Sequence, residues 1–378
     1  MNLRERIDEI VQGAVREGQA PGVVAAVAKG EEVHVAVAGA MAVEGPPMRP
    51  DALFRIASVS KPMTATVVLS LVEDGLLELD GPVDALLPEL ADRRVLRDPS
   101  GPLEDTVPAR RPVTVRDLLT FTWGFGMQGA MFADPEPWPI VTAARERQLH
   151  TFESPQPAAM PDPDTWMAGL GELPLLAQPG ERWLYHSGSQ VLSVLVSRAA
   201  GASFDEVLRA RVLEPLRMRS TLFHSTETDR IPTLYERRSG ELVVADPPDG
   251  QWSRPPAFGD GSGCLLSTVG DVVAFGRMLL HGGGPVLRPA TVAEMTRDQL
   301  TDEQQSRVWQ GFDFLEGRGW GYGMSVFDGC YGWDGGFGTT WLNDPSRDLT
   351  VVVSTQCMWD ETGPPAVCTD VLDAARAR

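Results

Sequence analysis

A serine and a lysine three residues apart stand at the start of a strongly apolar helical segment. The pattern predicts a helix from Val59 onward that is apolar around most of its circumference, and such a helix is buried. Pro62 is compatible with this helix because a first turn offers no partner for the missing N–H. Residues three apart share a helical face, so Ser58 Oγ and Lys61 Nζ are expected to meet. Burial near a helix N-terminus would lower the pKa of the lysine, and the neutral amine could then take the serine proton.

Lysine is rare in this chain. Only Lys29 and Lys61 occur among 33 lysine and arginine residues. A guanidinium keeps its proton, whereas an ammonium group can lose it when its surroundings lower its pKa. The alternative interpretation is structural, with Ser58 as a helix cap and Lys61 exposed in the first turn. The motif therefore needs partners elsewhere in the sequence.

Tyr185 is the first candidate partner. A tyrosine beside a cationic lysine is biased towards its phenolate, which could take the serine proton and later activate water. The alternative is an interfacial aromatic residue whose hydroxyl is satisfied. The neighbouring His186 is expected to be a structural histidine, although it could tune the site electrostatically.

A glycine-rich segment at 331–340 is the second candidate. Dense glycine at the edge of a strand pattern indicates that the backbone approaches another group closely. An acyl-enzyme mechanism needs backbone N–H groups aimed at the developing oxyanion, and Ser58 N–H and Gly336 N–H are natural donors if this strand borders the site. The alternative is a glycine bulge that only shapes the sheet.

Taken in order, these motifs resemble those of the serine β-lactamase and penicillin-binding-protein superfamily. They are S-x-x-K at 58–61, Y-x-S at 185–187 and W-x-G-G at 333–336. The similarity is greatest to the class C β-lactamase-like branch that contains the family VIII carboxylesterases, and it extends over nearly the whole chain. Three ordered motifs are more specific than any one of them alone.

The resemblance implies a role for each motif residue. Ser58 would be the acylated nucleophile, Lys61 its activating partner and Tyr185 the general base. Ser187 would make a polar contact to the substrate or to the lysine, and Gly336 N–H would form part of the oxyanion hole.

Two departures from the β-lactamases of this branch bear on the substrate. Ser187 replaces the asparagine of Y-x-N, which removes the amide that would hold an acylamino side chain. Trp333, Asp334 and Gly335 replace K-T-G, which removes the cation that would bind a substrate carboxylate. Asp334 adds a negative charge and Trp333 an apolar wall, as in the carboxylesterases that the motif resembles. This balance favours neutral esters.

The predicted function is a serine hydrolase that cleaves carboxylic esters of short or medium acyl chains through an acyl-enzyme on Ser58. The first alternative is a β-lactamase or D-amino-acid peptidase, and the second is an acyltransferase with an alcohol acceptor. A non-catalytic scaffold is the third. No serine lies in a G-x-S-x-G elbow, so an α/β-hydrolase triad is not expected.

The predicted fold class is α+β, with an antiparallel sheet flanked by the N- and C-terminal helices and a mostly helical lobe inserted between its strands. The predicted sheet domain combines residues 1–78 with 289–378. Residues 79–288 would form the helical domain. Its stretch 125–180 is weakly periodic and rich in proline, methionine and tryptophan, and is interpreted as an active-site cap.

Composition limits the partners. The formal net charge of −19 argues against nucleic acid or an anionic membrane surface. The four cysteines and five histidines show no metal-ligand spacing, so we expect neither a metal nor another cofactor. The cysteines are expected to be reduced. No segment resembles a signal peptide or a membrane span, which makes the cytoplasm the expected location. A small-molecule ester is the expected partner, and the sequence leaves the oligomeric state open.

Overall fold

The computed structural model describes residues 2–132, 134–306, 315, 317–360 and 363–377. The strands of this part of the chain are β1 (Gly22–Lys29), β2 (Glu32–Gly39), β3 (Phe54–Arg55), β4 (Arg94–Leu96), β5 (Thr106–Pro108), β6 (Leu234–Arg238), β7 (Glu241–Asp246), β8 (Leu266–Ser267), β9 (Gly319–Trp320), β10 (Ser325–Phe327), β11 (Cys330–Gly335), β12 (Thr339–Asp344) and β13 (Leu349–Thr355). Seven of them form one antiparallel sheet in the order β2-β1-β13-β12-β11-β10-β9. Strands from the two ends of the chain thus share one antiparallel sheet, as predicted, and they join where β1 pairs with β13.

The helices of the described residues lie on both sides of this sheet and in the long connection between β2 and β9. They are α1 (Leu3–Arg16), α2 (Ser60–Glu73), α3 (Val115–Leu119), α4 (Pro139–Glu146), α5 (Pro163–Gly171), α6 (Ser187–Ala200), α7 (Phe204–Leu208), α8 (Glu214–Leu216), α9 (Val269–Leu280), α10 (Pro289–Met295), α11 (Asp302–Ser306) and α12 (Val367–Arg376). The predicted α+β class, with both terminal helices against the sheet, is confirmed.

Strand β1 is apolar throughout because both of its faces are covered. Alternate side chains of a strand point to opposite faces. Val23, Ala25 and Val27 join the core formed with α1 and α12. The intervening Val24, Ala26 and Ala28 join the larger core that extends into the helical part of the molecule. The sheet therefore separates two hydrophobic cores.

Helix α2 runs through the larger core and is buried on nearly every side. All twelve residues from Ser60 to Leu71 are buried, including Lys61. The hydroxyls on its buried faces are satisfied locally, as where Thr66 Oγ1 donates to the Pro62 carbonyl at 2.8 Å. The helix ends at Glu73, and Gly75 follows with a left-handed φ of +74°. The prediction of a buried helix that begins close to Ser58 is confirmed.

Two features of the helical part were not predicted. The helical run from α7 to α8 contains a π-helical turn at Arg209–Leu213. The weakly periodic stretch 125–180 contains α4 and α5, whose apolar faces join the larger core. A periodicity that extends over only two turns is too short to stand out in a sequence.

The division into a sheet domain and a helical domain remains a prediction, and residues 307–314, which it assigns to the sheet domain, lie outside the described residues. Helix α9, assigned to the helical domain, packs against β1, β12 and β13. All four cysteines are buried free thiols. No helix among the described residues is long and apolar enough to cross a membrane.

Candidate active site

Ser58 lies in the 3-10 turn that leads directly into α2. Ala57, the residue before it, has a φ of +44°, a left-handed conformation that residues with a Cβ rarely adopt. Contacts on both sides hold this turn: Ile56 N–H donates to the Leu265 carbonyl at 3.0 Å, and the Ile56 carbonyl accepts the Thr339 hydroxyl at 2.9 Å. The nucleophile candidate is thereby fixed between β12 and the segment that contains β8.

A buried ion pair anchors the strand that enters this turn. Arg55 is 3% exposed, and its Nε donates to Asp246 Oδ2 at 3.0 Å. Its Nη1 also donates to the Pro232 carbonyl at 2.7 Å. Its Nη2 donates to a third residue, through the Pro247 carbonyl at 2.9 Å, so several donors of the guanidinium fork hold β3 in place just before Ser58.

Lys61 meets Ser58 as the spacing predicts. Its Nζ lies 2.8 Å from Ser58 Oγ, 2.6 Å from the Ser262 carbonyl and 3.2 Å from His186 Nδ1. Burial lowers the pKa of Lys61 to about 7, although the carboxylate of Asp260 acts in the opposite direction. A substantial fraction of Lys61 is therefore a neutral amine at pH 7, with Ser58 within proton-transfer distance.

Tyr185 also reaches Ser58, through a hydrogen bond between the two hydroxyls. Its oxygen accepts the indole N–H of Trp333 at 2.8 Å. Lys61 Nζ lies 4.8 Å from the centroid of the Tyr185 ring and so faces the ring. Burial raises the pKa of Tyr185 above its ordinary value, and this effect exceeds those of its two hydrogen bonds. The expected bias towards a phenolate is thus wrong, because burial disfavours the anion more than the two hydrogen bonds and the charge of Arg318 favour it.

The residues after Tyr185 are placed differently from the prediction. Ser187 points away from the candidate site: its Oγ donates to the Phe125 carbonyl at 2.5 Å and accepts Trp123 Nε1–H at 3.1 Å. Among the described residues the structure gives Ser187 no hydrogen bond to Lys61, and its contact with the substrate stays a prediction. His186 lies beside Lys61 instead, with its Nδ1 3.2 Å from Lys61 Nζ. In the sequence, the only indication that His186 lies near Lys61 was its position directly after Tyr185.

The glycine-rich segment reaches the nucleophile turn at the end of β11. A Cβ on Gly335 would overlap Thr339 Oγ1 and would lie 2.5 Å from the Ile56 carbonyl, so only glycine fits there. Gly336 follows, and a Cβ on it would meet no atom of the described residues within 4 Å. Gly336 borders the same cavity as Ser58, as the prediction requires of an oxyanion-hole donor.

A cation lies in the cavity wall after all. Arg318 Nη1 is 3.1 Å from Asp334 Oδ2, and its guanidinium stacks over the ring of Trp333 at 5.1 Å. The expectation of a site without a cation is therefore corrected, and the negative charge of Asp334 has a partner. Arg318 comes from the segment before β9, where no motif distinguished it from the other arginines of the sequence.

These groups surround a cavity of about 390 Å³. Most of its wall is apolar, and its polar side chains include those of Ser58, Glu153, Ser154, Tyr185, His186, Arg318 and Asp334. The cavity is lined by Ala57, Ser58, Met127, Phe132, Phe152, Glu153, Ser154, Pro155, Tyr185, His186, Arg318, Trp333, Asp334, Gly336, Phe337 and Trp359. Such a space suits a small, largely apolar ligand with one reactive polar group.

The stretch 125–180 contributes two short pieces to this wall, Met127 with Phe132 and the segment 152–155. Its tryptophans, Trp138 and Trp166, are instead buried in the larger core. The stretch therefore borders the cavity in part, and its role as a cap remains a prediction. No group of three or more metal-ligating side chains suited to a metal ion occurs in the part of the chain that the structure describes.

Comparison with known proteins gives matches over most of the chain. The profile of a family described as Beta-lactamase matches residues 7–366. Protein Rv1367c of Mycobacterium tuberculosis (strain ATCC 25618 / H37Rv) is 37% identical to this chain over 82% of the chain and 79% of its own length. Esterase EstB of Burkholderia gladioli is 30% identical over 100% of this chain and 96% of its own length.

Solved structures share the same architecture. One is described as EstCE1, a hydrolase with promiscuous acyltransferase activity. It superimposes on this chain with a TM-score of 0.82 and 24% identity, and the match covers 99% of this chain and 98% of that one. This likeness concerns the fold, and it confirms the predicted β-lactamase-like architecture.

Proposed function

Because the chain belongs to the Beta-lactamase family, as its ordered motifs predict, we propose that it is a serine hydrolase. The proposed substrates are carboxylic esters of short or medium acyl chains, cleaved through an acyl-enzyme on Ser58. The observation that carries the proposal is the 2.8 Å contact between Ser58 Oγ and Lys61 Nζ in a buried site. The lowered pKa of Lys61, about 7, supplies the base that this reaction needs. The full-length similarity to Esterase EstB supports the ester as substrate class.

Acylation would begin with proton transfer from Ser58 Oγ to the neutral amine of Lys61. The alkoxide then attacks the ester carbonyl, and the oxyanion lies between the backbone N–H groups of Ser58 and Gly336. As the C–O bond to the alcohol breaks, the proton returns from Lys61 to the leaving oxygen through the hydroxyl of Tyr185. The hydrogen bond from the Trp333 N–H to the Tyr185 oxygen supports this relay, since the hydroxyl can then direct its own proton towards the reacting atoms.

Deacylation would run the same sequence with water in place of the alcohol. Water loses a proton through Tyr185 to Lys61 while its oxygen attacks the acyl carbonyl. The bond to Ser58 Oγ then breaks, and the proton on Lys61 passes back to Ser58. Each group returns to its starting protonation state, as turnover requires.

The cavity wall supports a neutral substrate. Its apolar surfaces, among them Met127, Phe152 and Trp333, suit an acyl chain. Among the described residues that line the cavity, Arg318 is the one cation, and it stands beside Asp334 while Glu153 adds a further negative charge. The cation is thus already paired with a carboxylate and attracts a substrate carboxylate less. We therefore expect neutral esters to be preferred over the carboxylate-bearing substrates of β-lactamases and peptidases.

The test is p-nitrophenyl butyrate hydrolysis by the wild type and by Ser58→Ala. Loss of the nucleophile should lower kcat by about 1,000-fold or more. Ser70→Ala is the matched control, since it removes a hydroxyl from the same buried helix and Ser70 Oγ only donates to the Val67 carbonyl. Full activity of Ser58→Ala would refute the proposal. Turnover of a chromogenic cephalosporin faster than that of the ester would favour the β-lactamase alternative.

A further inference from the structure

We propose that His186 is a positioning residue that aims the lone pair of the neutral Lys61 amine at Ser58 by accepting one of the two amine protons. The inference rests on the proposed function, because it concerns the base of that reaction. It assigns a role to a residue that the motifs left unexplained.

The argument starts from the three groups around Lys61 Nζ. An ammonium group donates three hydrogen bonds, and the contacts to Ser58 Oγ, the Ser262 carbonyl and His186 Nδ1 match that number. The neutral amine has only two protons and one lone pair. The Ser262 carbonyl can only accept, so it takes one proton. If His186 Nδ1 takes the other, the lone pair is left facing Ser58 Oγ, whose proton it must receive.

This arrangement needs one tautomer of His186, and the surroundings are compatible with that tautomer. Nδ1 accepts only when Nε2 carries the ring proton. Nε2 lies 3.2 Å from Ser262 Oγ, which can accept that proton. Ser262 is itself fixed, because its backbone N–H donates to Asp260 Oδ1 at 2.7 Å and Gln190 Nε2 donates to the other carboxylate oxygen at 3.2 Å.

The charge state of His186 fits the same role. The side chain is 4% exposed, and burial together with the charge of Lys61 holds its pKa well below the ordinary value. A protonated imidazole would carry a proton on Nδ1 and would compete for the lone pair of Lys61. Neutral His186 leaves that lone pair available to Ser58.

The backbone supplies independent evidence. His186 has φ of +84° and ψ of −63°, and Ser187 N–H donates to the Tyr185 carbonyl at 3.2 Å. These values define a classic γ-turn, which is rare and strained. The turn brings the imidazole to Lys61 while Tyr185 reaches Ser58 from the adjacent position. Strain of this kind persists where the surrounding contacts, and often the function, require it.

Three substitutions distinguish the effect of the hydrogen-bond acceptor at residue 186 from the effect of the strained backbone turn. In His186→Asn the side-chain oxygen can occupy the position of Nδ1, whereas His186→Gln places its polar atoms near that of Nε2. His186→Gly relieves the strain of the turn but offers no acceptor. We expect Asn to retain at least about a tenth of the wild-type kcat, and Gln and Gly to lose about 100-fold in kcat with KM changed less than about threefold.

Kinetics on p-nitrophenyl butyrate, with melting temperatures and Ser58→Ala assayed in parallel, decide the matter. Near wild-type kcat in His186→Gly, or loss in His186→Asn as severe as in His186→Gly, would overturn the role of His186. If the Gly variant does not fold, the difference in kcat between Asn and Gln carries the same test. Activity in Ser58→Ala would instead overturn the proposed function, so the two failures are distinguishable.

Discussion

The Lys61 amine is the group whose protonation should control the rate. Burial lowers its pKa from 10.5 to about 7, and only the neutral amine can accept the Ser58 proton. We therefore predict that kcat/KM rises with pH through about 7 and levels off above it. The measurement is kcat/KM for p-nitrophenyl butyrate from about pH 5 to about pH 9, corrected for spontaneous hydrolysis.

Lys61→Arg is the control for this profile. It keeps a positive charge near Ser58 but does not give up a proton, so activity should fall about 1,000-fold or more at every pH. A wild-type kcat/KM that shows no change of slope near pH 7 and is still rising at about pH 9 would contradict the role of Lys61 and would indicate a base of higher pKa.

The hydrogen bond from Trp333 to Tyr185 is the next test at this scale. Trp333→Phe keeps an aromatic wall but removes the N–H that orients the tyrosine hydroxyl, so kcat should fall about tenfold, the equivalent of one hydrogen bond. Trp359→Phe is the matched control, because Trp359 borders the same cavity and its indole N–H has no hydrogen-bond partner among the described residues. Equal losses of kcat in the two variants would show that ring volume alone matters.

Sequence reasoning succeeded for residues tied together by spacing. Ser58 and Lys61 meet because three residues make almost one helical turn, and Tyr185 was found through its own motif. It failed where the answer depends on three-dimensional surroundings. The protonation of Tyr185 depends on how deeply its hydroxyl is buried, and the partners of Ser187 and Arg318 are distant in sequence.

At the scale of elements, the end of β11 must pack closely against the nucleophile turn. Gly335→Ala would place a Cβ 2.5 Å from the Ile56 carbonyl, two residues before Ser58. The strand end has to move, so we predict a loss of about 1–3 kcal/mol in stability. We also predict a lower kcat, because Gly336, the proposed oxyanion donor, would move with the strand end. Thermal unfolding and ester kinetics on the same preparation measure both effects.

Gly336→Ala is the stability control for that variant. The added Cβ would meet no atom of the described residues within 4 Å, so the melting temperature should stay within about 1 °C of the wild type. A destabilisation as large as that of Gly335→Ala would mean that helical or strand propensity, and not the close approach to Ile56, explains the glycine-rich segment.

Elements were predictable where their pattern is long. The hairpin of β1 and β2 and the buried helix α2 follow from runs of eight or more patterned residues. The helices α4 and α5 have only eight and nine residues and are surrounded by prolines and glycines, so their periodicity was too short to be seen. The γ-turn at His186 left no pattern, because its conformation is imposed by contacts with residues far away in the chain.

At the scale of the whole molecule, the sheet separates the active site from a second core. The cavity is lined by members of the larger core, among them Met127, Phe152 and Trp333. The second core lies between the sheet and helices α1 and α12. Sequence predicted this layering correctly because the two terminal helices are amphipathic and β1 is apolar on both faces.

This separation predicts that stability and activity can be changed independently. Ile7 of α1 is fully buried against the sheet. Ile7→Ala should therefore lower the free energy of unfolding by about 2–5 kcal/mol, through lost contacts and the cavity left behind. Below the melting transition kcat should remain within about twofold of the wild type, since no residue of α1 lines the cavity. Leu76→Ala, which shortens a leucine that is 51% exposed, should leave the melting temperature almost unchanged. A fall in kcat for Ile7→Ala at temperatures where the protein is fully folded would show that the two cores are coupled through the sheet. The most direct connection is β13, which contributes Val351 and Val353 to one core and Val352 to the other.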